Sequence, residues 1–175
     1  MLNKFGSVIA LAVALMLPGG CSKQLQAKTE YVEGSDFSQY QTYRWITEDL
    51  VLIQSGTGNQ RIRNVENEQR IRAAVERELA AKGLRKTSGD EADLIVAFTL
   101  GTKVRYHIQG GANYDIITNP AAAYTRGVLT IYMFDRASQR QIWSAWTHRD
   151  LEPSDDPDAV INAAVAVLLD EFPPK

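Results

Sequence analysis

Apolar and polar positions fall into one uncharged run near the amino end, followed by six patterned segments. Residues 37–46 hold Phe37, Tyr40, Thr42, Tyr43, Trp45 and Ile46, an aromatic and β-branched density that predicts a strand. Beyond the turn-rich stretch Ser55-Gly56-Thr57-Gly58-Asn59, Asn64 is placed to cap a helix over 65–82. Ile71, Ala74, Val75 and Leu79 recur on one face of that helix, and Glu66/Arg70, Glu68/Arg72 and Glu78/Lys82 are i,i+4 pairs with the acid first. Gly83 stands where a left-handed residue ends a helix, with Leu84 set to fold back on Leu79. Residues 93–104 open on Leu94-Ile95-Val96-Ala97-Phe98, the pattern of a central strand covered on both faces or nearly so. Residues 127–134 and 140–147, joined by Asp135-Arg136-Ala137-Ser138-Gln139, predict a β-hairpin. Asp156 and Pro157 start a last helix to about residue 171, through Val160, Ile161, Ala164, Val165, Leu168 and Leu169, and Phe172-Pro173-Pro174 ends it. The order β-α-β-β-β-α predicts an α+β fold, a two-layer sandwich of a mostly antiparallel sheet and two helices.

The uncharged run, residues 8–17, follows Lys4 and is stopped by Pro18-Gly19-Gly20 and Cys21. A membrane span needs about 20 apolar residues, so this stretch reads as a secretory signal peptide over residues 1–20. Its removal takes away only Lys4 among the charges and leaves a net charge of −3 from a full-chain −2. Cys21 is the only cysteine, so no disulfide within the chain explains it. Its place after an apolar run and two small residues resembles a bacterial lipobox, with Leu17 four residues before it and Pro18 where the pattern prefers Leu. That resemblance implies a diacylglycerol thioether on Cys21, cleavage before it, and palmitate-type acylation of the new amine. Two or more acyl chains anchor stably where one does not. Ser22 after the cysteine, in place of a retaining Asp, implies sorting to the outer membrane, with the protein lipid-anchored on its periplasmic face. Residues 21–35, mixed and mostly polar, are expected as lipidated Cys and tether, and 36–175 as one α+β domain.

The 175 residues suit a single domain, and 45% hydrophobic with 23% charged residues suits a folded core rather than disorder. The near balance of charges argues against nucleic acid as a partner. His107 and His148 lie far apart and outside any zinc spacing, and Glu152, Asp155, Asp156 and Asp158 lack calcium-loop spacing but suit a helix start. No metal or cofactor is expected. No G-x-S-x-G elbow occurs, and Gly56/Gly58 and Gly101-Thr102-Lys103 are fragments of phosphate loops that read as turn residues. Residues 61–86 carry eight Lys/Arg against four Glu, while 150–171 carry seven acids and no base, an asymmetry that suits attraction within the chain or a docking patch. The segment 105–126 is long for a connection and holds Arg105, Tyr106, His107, Asn113, Tyr114, Tyr124 and Arg126, residue types frequent at interfaces. It is the candidate binding loop; the plainer alternative is a flexible hairpin tip.

Asp36-Phe37-Ser38-Gln39-Tyr40-Gln41-Thr42-Tyr43-Arg44-Trp45, then Asp135 with Gln141-Ile142-Trp143-Ser144-Ala145-Trp146, and the closing Phe172-Pro173-Pro174 together resemble the bacterial lipoproteins of domain-of-unknown-function family 4136. The resemblance covers nearly all of the mature chain and implies an outer-membrane-linked lipoprotein with an α+β domain. It carries over no reaction. The expected function is a non-catalytic envelope module that contacts the bilayer through Cys21 and binds an envelope protein or cell-wall component. One alternative is a periplasmic hydrolase with a dispersed site at His107 or His148. The other is a carrier of a small apolar ligand, which requires an apolar cavity between helices and sheet.

Overall fold

A computed structural model of the chain describes residues 25–49, 62–106 and 123–174. Cys21, His107, Asn113 and Tyr114 lie outside these residues, as do the side chains of Arg105, Tyr106 and Tyr124. The fold is α+β. In chain order the elements are β1 (Lys28–Tyr31), β2 (Thr42–Trp45), α1 (Val65–Ala81), β3 (Arg85–Lys86), β4 (Leu94–Tyr106), β5 (Ala123–Asp135), β6 (Gln141–Leu151) and α2 (Pro157–Asp170). They build one six-stranded sheet in the order β1-β6-β5-β4-β2-β3, against which both helices pack.

The sheet is mostly antiparallel, as expected, with two short parallel pairings that make it mixed. β1 with β6, β6 with β5 and β5 with β4 pair antiparallel, but β2 runs parallel to both β3 and β4. The parallel pairs follow from α1, which returns the chain to the end of the sheet where β2 began, as a crossover helix must. Two strands join the expected order. β1 occupies residues expected as tether, and β3 adds a two-residue edge beyond β2. Of the strand expected over 37–46, only Thr42–Trp45 pairs as a strand. Phe37–Gln39 is a short 3-10 turn in which Asp36 accepts from the Ser38 backbone N–H, so a local side-chain bond overrides strand propensity.

β4 is an interior strand, fully covered on the helix face and partly covered on the other. Leu94, Val96 and Phe98 are buried, while Ile95 and Ala97 are half-buried. The same alternation puts Leu129, Ile131 and Met133 of β5, and Trp143, Ala145 and Thr147 of β6, on the helix side. Ile71, Ala74, Val75 and Leu79 of α1 and Val165, Leu168 and Leu169 of α2 complete the core. The helices run in the same direction. Arg70 meets Asp158 at 3.1 Å near their starts, and Arg77 donates to Asn162 further along. Arg70 thus ties the basic segment 61–86 to the acidic start of α2 by one exposed pair, although α1 itself carries four Glu against three Arg.

Both helices obey their sequence signals. Asn64 accepts from the Asn67 N–H, and Asp156 precedes Pro157 and accepts from the Asp158 N–H. At the other end of α1, Leu84 N–H donates to Leu79 C=O and Gly83 N–H to Ala80 C=O, a Schellman ending with Gly83 at φ 89°.

Candidate functional site

A cavity of about 430 Å³ opens where α1 and α2 begin and where the far ends of β4, β5 and β6 meet them. Ile71 of α1, Leu129 of β5 and Ala164 of α2 form its buried walls. Leu100, Leu151, Val160 and Ile161 continue the apolar lining as half-buried residues, with Leu25 and Ile62 beside them. His148, Arg149, Glu152, Pro153 and Pro157, all exposed, form the rim. The space exists because the paired strands outrun the helices: β4 and β5 stay in register to Tyr106↔Ala123, beyond the first turns of α1 and α2. Gly127 helps. A Cβ there would stand 3.0 Å from Leu151 Cδ1, so a larger residue would have to push the tip of the Leu151 side chain from its place on the wall.

The polar groups among these walls bond to the protein itself. Thr147 Oγ1 donates to the Gln26 carbonyl at 2.8 Å, which holds the chain entering β1 against β6. Asn67 Nδ2 donates to the Ile62 carbonyl at 2.9 Å, and Arg70 Nη1 donates to Asn67 Oδ1 at 3.0 Å. At the rim Arg149 pairs with Asp155 at 2.8 Å, and the Glu152 N–H donates to the same carboxylate. An apolar occupant would thus break no hydrogen bond by covering these groups, which is the chemistry of a small-molecule pocket.

The residues singled out from sequence are dispersed by the fold. Arg105 and Tyr106 end β4, Tyr124 begins β5, and Arg105↔Tyr124 are cross-strand partners, so the hairpin extends into the segment expected as a loop. Arg126 is a strand residue. Its guanidinium grips Asp150 on β6 through Nε at 2.6 Å and Nη2 at 3.1 Å, a two-pronged pair that locks β5 to β6. His148 is exposed and stacks on Trp146 with ring centres 5.9 Å apart, and Lys28 Nζ lies 5.2 Å from the centre of the same Trp146 ring. Among the described residues no group of three metal-ligating side chains occurs, and no helix is long and apolar enough to cross a membrane. The cavity walls were missed by sequence reading because they are ordinary apolar residues. The available signals were Leu151, an apolar residue ending β6 after a polar stretch, and Ile161, which continues the buried stripe of α2 toward the helix start yet stays half-buried.

The opposite end of the molecule is tied by an aromatic cluster, with a smaller hollow of about 250 Å³ between Tyr31, Phe37 and Pro174. Phe37 meets Tyr31, Tyr40 and Phe172 edge-on, and Phe172 meets Trp143 with centroids 5.2 Å apart. Tyr40 donates its hydroxyl to Asp135, and burial with that neighbouring carboxylate raises the phenol above its ordinary value. Asp135 is held low by the Ser138 hydroxyl and N–H in the β5–β6 turn. Asp93 accepts from the Gln41 and Thr42 N–H groups and from the Thr42 hydroxyl, and these bonds, led by Gln41, hold it below the ordinary carboxylate range against the effect of burial. Glu76 accepts from Trp45 Nε1 at 2.9 Å and Lys86 Nζ at 2.7 Å; burial opposes its charge, and the two donors outweigh burial and lower its pKa.

Phe37, Tyr40, Asp135, Trp143 and Phe172 of this end are among the residues that carried the family resemblance, and the family's sequence profile, described as Domain of unknown function (DUF4136), matches residues 27–174. The chain belongs to the DUF4136 family. The match begins at the residue before β1 and ends after Phe172, so the DUF4136 domain takes in β1 and is one residue short of the chain's end. No curated protein sequence matches the chain. Among solved structures, a PDZ domain protein from Parabacteroides distasonis superposes with a TM-score of 0.57 at 18% identity, over 86% of this chain and 36% of that one. The DUF4136 domain thus spans about a third of that relative's length, and the likeness is one of fold. The PelC dodecamer from Paraburkholderia phytofirmans gives TM-scores of 0.48 and 0.49 at 11% and 10% identity in two crystal forms, each over 82% of this chain and 96% of that chain.

Proposed function

We propose that this DUF4136 protein is a lipid-anchored module on the periplasmic face of the outer membrane that binds, without catalysis, a small apolar or amphipathic molecule in the cavity at the helix starts. The observation that carries the reading is that cavity: about 430 Å³ between helices and sheet, walled by Ile71, Leu100, Leu129, Ile161 and Ala164. Its volume falls within the roughly 300–1,000 Å³ of ordinary ligand sites, and its lining is apolar with a charged rim, the arrangement that holds a greasy body and leaves a polar head in water. The anchor part of the reading rests on residues 1–22, where an apolar run of half a membrane's length leads to a lone cysteine.

The test is a titration of the full chain carrying Cys21→Ser with 11-(dansylamino)undecanoic acid, followed by dansyl fluorescence. A saturable, one-to-one, blue-shifted signal is expected. Ala164→Phe, which fills the cavity from α2, should weaken it roughly tenfold or more, the equivalent of losing about two buried methylenes. A signal that does not saturate, or that Ala164→Phe leaves unchanged in a protein still folded by circular dichroism, would refute the reading.

A further inference from the structure

We propose that the occupant this cavity is built for is one acyl chain of the protein's own anchor on Cys21, sheltered in the domain away from a bilayer and released when the bilayer takes it. The proposal rests on the binding reading above and on acylation of Cys21.

Leu25 lies on the cavity wall, and the chain there is pinned by the bond from Thr147 Oγ1 to the Gln26 carbonyl at 2.8 Å. Because β1 is antiparallel to β6, the chain upstream of Lys28 heads for the β6 end that carries Leu151, another wall residue. Cys21 is four residues before Leu25, and four residues span at most about 14 Å even when extended. An anchor on Cys21 is therefore tethered within reach of the opening.

The cavity's capacity also fits. At about 30 Å³ for a water-sized group, its volume of about 430 Å³ takes on the order of fourteen methylenes. That is one acyl chain, and not the two or three that a lipidated cysteine carries. A tether this short gives an effective concentration on the order of millimolar. Each methylene withdrawn from water multiplies affinity about fourfold, so a tethered chain fills an apolar cavity that a free one at low concentration would leave. The same term operates in the bilayer, which has room for every chain at once. Sheltering therefore yields to membrane insertion wherever a bilayer is present.

The test uses the full, lipidated protein, with the acyl groups on its amino-terminal peptide first verified by mass spectrometry. p-Benzoylphenylalanine is introduced at Ile161, at Val160 as a second wall position, and at Tyr132 on the sheet face away from the helices as a control. Irradiation in solution should crosslink the wall positions to the acylated peptide containing Cys21 within one copy. Vesicles of phosphatidylethanolamine and phosphatidylglycerol should reduce that product at least several-fold, and the Tyr132 position should give little of it throughout. Acylated protein that gives no wall crosslink, or gives as much from Tyr132, overturns the proposal. A Cys21→Ser chain that fails to bind the dansyl fatty acid overturns the binding reading beneath it. An amino-terminal peptide without acyl mass overturns the anchor.

Discussion

Asp93 sits just before β4 and binds across to the start of β2 through three donors, the N–H groups of Gln41 and Thr42 and the Thr42 hydroxyl, at 2.8–2.9 Å. Its own N–H returns a bond to Thr42 Oγ1, so two strands joined in parallel register are fastened at their first residues. Truncation leaves those donors to compete for water, and Asp93→Ala is expected to cost about 2 kcal/mol in urea denaturation at neutral pH. The pH dependence has a definite sign. The folded carboxyl lies below its ordinary 3.8, so its contribution is fully present above that value and is lost as pH falls through the lower folded value. The stability gap between the wild type and Asp93→Asn should be constant from pH 7 to pH 5 and should close below about pH 4. A gap that widens in acid would contradict the assignment. None of this was legible in the sequence, where Asp93 reads only as a polar residue before an apolar run; its partners are some fifty positions away.

α1 shows what can be read locally. Its cap, its apolar stripe and its ending lie within one stretch of chain, and each takes the form that its spacing predicts. Gly83 is the sharpest case: at φ 89° it occupies the region L side chains avoid, and a Cβ there meets nothing within 4 Å. The cost of Gly83→Ala is then purely conformational, about 1 kcal/mol by chemical denaturation, with no change in the probe titration. β1 shows the converse. Lys28-Thr29-Glu30-Tyr31 has no pattern that separates an edge strand from a polar tether, and what makes it a strand is β6, to which all four residues pair. Glu68 is similar. It looks like one half of an exposed helical pair with Arg72, and the fold buries its carboxylate while Arg72 covers Trp45.

At the scale of the molecule the two ends have different work. One end is tied by Phe37, Trp143 and Phe172 and by the carboxylates of Asp93 and Asp135; the other, about 21 Å away along α2, opens into the cavity. Several of the family's recognisable residues gather at the tied end, which explains why a sequence resemblance identified the fold and carried no site. The cavity draws its walls from α1, β4, β5, β6 and α2, with no spacing along the chain that links them. Only the requirement for an apolar space between helices and sheet was foreseeable, as the mark of one of three readings. The segment 107–122, where binding residues were sought first, lies outside the described residues. The central claim is that an acyl chain lies in this cavity. It is tested most directly by isotope-filtered nuclear magnetic resonance on the full chain carrying Cys21→Ser with uniformly carbon-labelled lauric acid. The account predicts contacts from the chain methylenes to the methyl groups of Ile71, Leu129 and Ile161. Contacts confined to Ile95 and Tyr132 on the other sheet face, or none at a saturating acid concentration, would contradict it.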